Sequence, residues 1–208
     1  MSPPILEQAL AGRVRLAPLT VDQYHRMIET GILPEGAPLE LLDGMLVGKD
    51  RSAAGGDPTT MGERHSLIVK QILLVSGSLS RYGCHLQSQS PIRFRPENEP
   101  EPDGAIVRGR PRDYSDRHPG PGDVLVVIEV ADSSLAEDRT VKQRVYANAG
   151  IPQYVLVNIS DQQIELHEQP LAGEGRYGRV TVLKRGENLR LLLSGGQTLD
   201  VSAEEWLP

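Results

Sequence analysis

The chain has 208 residues, of which 38% are hydrophobic and 4% aromatic, as expected for one soluble domain with an aliphatic core. The formal net charge of −6 argues against a basic surface for non-specific DNA binding, although it allows a local basic groove. The single cysteine, Cys84, excludes an intrachain disulfide. With no signal-like segment and no apolar run of ~18 residues, we expect a cytoplasmic protein with no membrane span.

The N-terminal part of the sequence predicts an arm, a helix and a hairpin. Residues 1–18 predict a loose arm, and residues 19–208 predict one domain, because no repeat or long linker divides them. Thr20 is a suitable N-cap for a helix that Gly31 would end. Asp43-Gly44 is a type I′ turn signal, which predicts a hairpin between the strands on either side.

The later elements follow from hydrophobic periodicity. A long helix is predicted over 61–80, after a loop rich in Gly, Asp and Ser. The near-continuous aliphatic run at 123–130 is typical of a central strand buried on both faces. A helix over 135–149 and a strand over 151–159 follow it, an order that predicts a parallel crossover. Further strands are predicted at 39–42, 45–47, 85–90, 92–95, 103–107, 162–168, 179–184 and 189–193.

Two charged residues fall inside the apolar stripe of the predicted helix 135–149. With residues about 100° apart around the helix axis, Asp138 and Lys142 lie on the apolar side and can contact each other as an i, i+4 pair. An unpaired buried charge is costly, so such residues are usually paired or functional. A buried salt bridge that only anchors the helix is the alternative to a catalytic role.

Two acidic residues lie at strand ends. Glu129 interrupts the aliphatic run of 123–130 near its C-terminal end, where ligands bind in open α/β sheets. Because the next helix folds back, Lys142, ~10 Å along that helix, comes level with Glu129. Asp103 precedes an apolar stretch, although Pro-Asp-Gly alone is simply a turn. If the two strands pair, Asp103 and Glu129 form an oxygen site suited to Mg²⁺ or Mn²⁺.

Several segments, in this order and spacing, carry a family resemblance over about residues 19–159. They are Leu39-Glu40-Leu41-Leu42-Asp43-Gly44, His65, Pro102-Asp103, Val127 to Leu135, and Asp138 through Lys142 and Tyr146 to Tyr154. Together they resemble the putative restriction endonuclease family of the PD-(D/E)XK nuclease superfamily. The resemblance implies an α/β (α+β), restriction-endonuclease-like fold, in which a mixed central sheet is flanked by helices. The last strands would add a C-terminal antiparallel meander.

The resemblance also implies roles for individual residues. Asp103 and Glu129 would bind the metal, and Glu40 would be an additional acid. From the acids at the strand ends we expect Mg²⁺ or Mn²⁺, with the Val130 carbonyl as a further ligand. Supporting residues in the same motifs would be His65, Asp138 and Tyr146.

One position departs from the superfamily pattern. The pattern places a lysine two residues after the second acid, where this chain has Ala131. The resemblance implies that Lys142 supplies the amine from the helix, and its inward direction supports this independently.

Three arginines in one loop are candidates for phosphate contacts. Arg108, Arg110 and Arg112 could bind a DNA backbone. The alternative is a solvated loop, because Asp113 and Asp116 dilute its charge.

The leading hypothesis is a metal-dependent endonuclease that hydrolyses DNA phosphodiester bonds. A homodimer is expected, since cutting both strands commonly pairs two active sites and two-fold dimers are the commonest oligomers. The intact acids Glu40, Asp103 and Glu129 favour an enzyme. The acidic net charge favours a catalytically silent binding module on the same fold. A metal-dependent phosphoesterase on a small substrate, which needs no basic groove, is also open.

Overall fold

The computed structural model of the protein describes residues 5–49, 62–94 and 96–208. Its helices are α1 (Ile5–Leu10), α2 (Val21–Glu29), α3 (Glu63–Leu74), α4 (Ser76–Leu79), α5 (Leu135–Glu137), α6 (Gln143–Asn148) and α7 (Ala203–Trp206), with a π-helical turn (Asp138–Lys142) joining α5 to α6. Its strands are β1 (Leu39–Leu42), β2 (Met45–Gly48), β3 (Cys84–Gln87), β4 (Gly104–Arg108), β5 (Val124–Ala131), β6 (Gln153–Asn158), β7 (Gln163–Leu171), β8 (Arg176–Leu183), β9 (Asn188–Leu192) and β10 (Thr198–Ser202). Short 3-10 turns lie at Ser80–Tyr82, Pro111–Tyr114, Pro121–Asp123 and Ser194–Gly196.

A mixed six-stranded sheet, in the order β3-β4-β5-β6-β7-β8, forms the centre of the fold. Strands β5 and β6 are parallel, and the other neighbouring strands are antiparallel. Every residue of β5 and β6 is buried, as aliphatic runs in central strands predict. The strand–helix–strand segment therefore forms the parallel unit expected from the sequence.

Helices and a separate hairpin cover the two faces of this sheet. On one face, α3 and α7 pack with the β9–β10 hairpin through residues that include Ile72, Leu191 and Trp206. On the other face, α6 packs through Val145 and Tyr146. The fold is thus the predicted mixed sheet flanked by helices, with extra antiparallel strands after β6. No helix in the described parts of the chain has both the length and the apolar run needed to cross a bilayer.

Some predicted elements differ from the structure. The expected loose arm contains α1. The expected helix 61–80, whose first residue lies outside the described residues, begins at Glu63 and breaks after Leu74. The chain resumes as the short helix α4 at Ser76, and this segment contains Gly77, a poor helix former.

The predicted C-terminal antiparallel strands are present, but they are divided between two sheets. Strands β7 and β8 extend the central sheet, while β9 and β10 form a hairpin of their own. The predicted strand 92–95 is not a strand over 92–94, where Phe94 makes only an isolated bridge to Asn98. Residue 95 lies outside the described residues. Nearby prolines, which have no N–H to donate, explain why a ladder does not form there.

The β1–β2 hairpin, which carries Glu40, turns at Asp43 and Gly44 with φ values of 48° and 73°, as a type I′ turn requires. A Cβ added at Gly44 would lie 2.3 Å from Pro18 Cβ, whereas one at Gly36, with φ 72°, would meet nothing within 4 Å. We expect Gly36→Ala to cost about 1–2 kcal/mol of unfolding free energy through left-handed strain. Gly44→Ala should cost about 1–3 kcal/mol more through overpacking. Urea titrations measure the free energy of unfolding of both variants. Equal losses in Gly36→Ala and Gly44→Ala would show that Pro18 moves aside without cost.

Candidate active site

The antiparallel pairing of β4 with β5 brings two acids to one edge of the sheet. Gly104 lies opposite Ile128, so Asp103, just before β4, sits beside the end of β5 that carries Glu129. The Val130 amide donates a hydrogen bond to Asp103 Oδ2 at 2.9 Å. On the other side, His65 Nε2 in the first turn of α3 lies 3.0 Å from the same oxygen.

A lysine lies among three buried acids at this edge. Lys142 Nζ is 3.2 Å from Glu129 Oε1, 3.5 Å from Asp138 Oδ1 and 3.6 Å from Glu40 Oε1. The Tyr146 hydroxyl donates to Glu129 Oε1 at 2.7 Å. The sequence prediction that Lys142 points inward beside Glu129 is confirmed. The predicted Asp138–Lys142 pair is present as well.

The helix that supplies Lys142 is distorted at this point. A π-helical turn spans Asp138–Lys142, where the sequence predicted a regular helix. Such turns often occur at functional sites, because an extra residue re-aims the side chains of the turn. Here Ser134 Oγ donates to Asp138 Oδ2 at 2.6 Å, which leaves the other carboxylate oxygen beside Lys142.

A cavity of about 70 Å³ lies over these side chains and has room for a few water molecules. The predicted site residues that line it are Glu40, His65, Asp103, Glu129, Val130 and Lys142. Lining residues that were not predicted as site residues include Lys49, Glu101, Asp132 and Glu137. The cavity is therefore rich in acids, and it joins β1, β2, α3, β5 and the helix after β5.

Comparison with known proteins identifies the family. The family model Uma2, described as "Putative restriction endonuclease", matches residues 21–202. The chain belongs to the Uma2 family. A solved structure described as a putative nuclease belonging to DUF820, from Anabaena variabilis, resembles it with a TM-score of 0.64 over 91% of this chain and 98% of the other. At 16% identity, that likeness shows the fold alone.

No curated protein matches the chain. Membership in the Uma2 family, together with the nuclease-like fold, indicates nuclease function.

The acids of this Uma2 site outnumber the charges that can neutralise them. Burial alone would lower the pKa of Lys142, but the carboxylates of Glu129, Glu40 and Asp138 hold it well above its ordinary value. Burial raises the pKa of Glu129 well above its ordinary value despite Lys142, and Asp138 and Asp103 raise it further. One lysine does not neutralise four neighbouring carboxyls, and a divalent cation would relieve this excess of negative charge.

The His65–Asp103 pair behaves differently. Burial lowers the pKa of His65 and raises that of Asp103, but their mutual hydrogen bond and attraction outweigh it. The pKa of His65 is therefore raised and that of Asp103 lowered, with the Val130 amide also favouring the carboxylate. Asp103 is thus the acid of the site best held in its charged form.

The donor set fits a hard divalent ion. Glu40 Oε2 is buried and has no hydrogen-bond partner among the described residues. The Val130 amide faces Asp103, and the carbonyl of the same strand residue points to the same side. In the described part of the chain, no three His, Cys, Asp or Glu side chains form a ready metal cage. Mg²⁺ commonly uses only one or two carboxylates and keeps several waters, so Asp103, Glu129 and a backbone carbonyl suit it.

The structure does not bring the three loop arginines to this cavity. Arg108 ends β4, five residues from Asp103, which is ~17 Å along an extended strand. Arg110 lies beyond it, with its side chain 85% exposed and 3.6 Å from Asp113, and Arg112 follows in the same loop. The three arginines do not line the cavity, so a contact between them and a more distant part of a DNA backbone stays a prediction.

Lys49 and Glu101 are two of the cavity residues that the sequence analysis missed. Glu101 lies in the acidic, proline-rich segment 96–102, and Lys49 directly follows β2. The spacing of Glu101 from Asp103 could have predicted its place, because residues two apart on an extended chain point to the same side. Glu101 is two residues before Asp103 and therefore faces the same way.

Proposed function

We propose that the chain is a Mg²⁺- or Mn²⁺-dependent endonuclease that hydrolyses phosphodiester bonds in DNA. The observation that carries the proposal is the convergence of Asp103, Glu129 and Lys142 on one cavity, in a chain that belongs to the Uma2 family. Oxygen donors beside a buried lysine are the groups that phosphodiester hydrolysis requires.

We assign each residue a role that is consistent with its place in the cavity. Asp103, Glu129 and the Val130 carbonyl would hold the divalent ion, which would polarise the phosphodiester and lower the pKa of a bound water. Lys142 stabilises the negative charge that develops on the phosphate or orients the attacking water. Glu40 supplies a further acid.

Supporting residues keep these groups in place. Tyr146 donates to Glu129 Oε1 and thereby fixes that carboxylate. Asp138 contacts Lys142 from the same helical turn. His65 holds Asp103 in its charged form through the 3.0 Å contact.

A library of random-sequence duplexes tests the proposal whatever sequence the protein cleaves. We expect new DNA ends, detected by sequencing, when the protein is incubated with Mg²⁺ or Mn²⁺, and none when EDTA removes the metal. End counts that are the same with metal and with EDTA would contradict the proposal.

One observation favours a second candidate, a phosphoesterase that acts on a small substrate. The cavity is small and acidic, and the loop arginines lie away from it. Metal-dependent hydrolysis of a small phosphodiester, with no cleavage in the duplex library, would identify that activity. DNA binding without either hydrolysis would identify a silent binding module.

The homodimer stays a prediction. The molar mass of the protein in solution, measured by light scattering, tests it.

A further inference from the structure

Lys49 forms an ion pair with Glu101 on the wall of the cavity. The Lys49 side chain is only 10% exposed, and that of Glu101 is 24% exposed. The Lys49 amide donates to the Pro38 carbonyl at 2.8 Å, which anchors the backbone just after β2. The lysine is thus held at the cavity rather than free in solvent.

The two lysines of the cavity differ in how far their charge is neutralised. Lys142 lies within 3.6 Å of three buried carboxylates. Among the ion pairs of the described residues, Lys49 has only Glu101, whose side chain is the more solvent-exposed partner. Neighbouring carboxylates therefore compensate the positive charge of Lys49 less fully than that of Lys142, which leaves Lys49 better able to attract an anionic ligand.

A polyanion cannot approach this cavity without help. The acids among its described lining residues are Glu40, Glu101, Asp103, Glu129, Asp132 and Glu137. Their combined field repels a phosphate backbone. The proposed divalent ion would offset only part of this field, and the loop arginines do not line the cavity. A further cation on the cavity wall would therefore favour binding of the phosphates that flank the scissile one.

We propose that Lys49 is a substrate-binding residue that contacts a backbone phosphate of the nucleic acid next to the scissile one. The inference rests on the proposed nuclease function. Glu101 holds the ammonium in position, and because an ammonium has three donors, Lys49 can keep Glu101 while donating to a phosphate oxygen.

DNA binding provides a readout that does not depend on cleavage. Fluorescence anisotropy measures how tightly each variant binds a labelled random-sequence duplex in Ca²⁺ over a range of salt concentrations, and Arg190→Ala is the control for Lys49→Ala. Both variants remove one positive charge from an ion pair, but Arg190 is exposed on β9, pairs with Asp200 and does not line the cavity. Lys49→Ala should bind about tenfold more weakly at ~0.1 M salt, and its slope of log affinity against log salt should be smaller by about 0.9, the change for one phosphate contact. Arg190→Ala should match the wild type.

Two further variants separate binding from folding. Lys49→Gln keeps a long polar side chain and should show the same loss of slope, should Lys49→Ala fold poorly. Glu101→Gln keeps an oxygen that can accept from the Lys49 ammonium but removes the negative charge beside it, so this variant should bind the duplex more tightly than the wild type.

The outcomes distinguish this inference from the function on which it rests. A wild-type protein that binds no duplex at any salt concentration overturns both. If the wild-type protein binds and the slopes of Lys49→Gln and Arg190→Ala are equal, the role of Lys49 alone is overturned and the endonuclease proposal stands.

Discussion

Lys142→Ala is expected to lower metal-dependent DNA cleavage per folded molecule by about 10²–10³-fold, the usual cost of removing a group that stabilises charge in the transition state. Lys142 is the amine nearest to Glu129 among the described ion pairs, with Nζ 3.2 Å from Oε1. Ala131, at the position where the superfamily pattern has its lysine, cannot replace it.

The same variant should also unfold more easily. Removal of Lys142 leaves Glu40, Glu129 and Asp138 buried without their shared cation. Breaking a buried ion pair by removing one partner costs about 3–5 kcal/mol, so the melting temperature should fall. The exposed Lys184, which contacts Gln163, provides a control, because Lys184→Ala should change neither quantity.

The two measurements separate catalysis from structure. A catalytic role and a purely structural role of Lys142 both predict a lower melting temperature. Activity therefore has to be expressed per folded molecule. A destabilised Lys142→Ala protein with undiminished activity per folded molecule would show that Lys142 only anchors the helix.

The parts of the fold that could be predicted from the sequence depend on local patterns. The aliphatic run of β5 identified the central strand, and Glu129 stood out because an acid in such a strand is costly to bury. Asp138 and Lys142 stood out for the same reason within the apolar stripe of a helix. The Asp43-Gly44 turn follows from the φ values that its two residues accept.

The parts that could not be predicted depend on contacts between distant segments. The Glu40–Lys142 and Lys49–Glu101 pairs join residues about 100 and 50 positions apart, and no periodicity reports such pairs. The π-helical turn at Asp138–Lys142 has no sequence pattern of its own.

Glu129→Gln is expected to weaken Mn²⁺ binding by more than about 100-fold, since loss of a residue that only supports a metal ligand already costs 10–100-fold. The substitution keeps the shape of the side chain and an oxygen that can accept from Tyr146. Without metal, the variant should be as stable as the wild type or more stable, because one of several crowded carboxyls is gone. At a Mn²⁺ concentration of ~100 times the dissociation constant, the wild type should gain about 2.7 kcal/mol of stability, and Glu129→Gln almost none.

Calorimetric titration with Mn²⁺ is the most direct test that Asp103 and Glu129 form a metal site. Glu165→Gln is the matched control, because Glu165 is similarly buried on β7 but pairs with Arg139 outside the cavity. Wild type and Glu165→Gln should bind Mn²⁺ with the same affinity, while Glu129→Gln and Asp103→Asn should lose it. Equal Mn²⁺ affinity in the wild type and in both site variants would contradict the metal site.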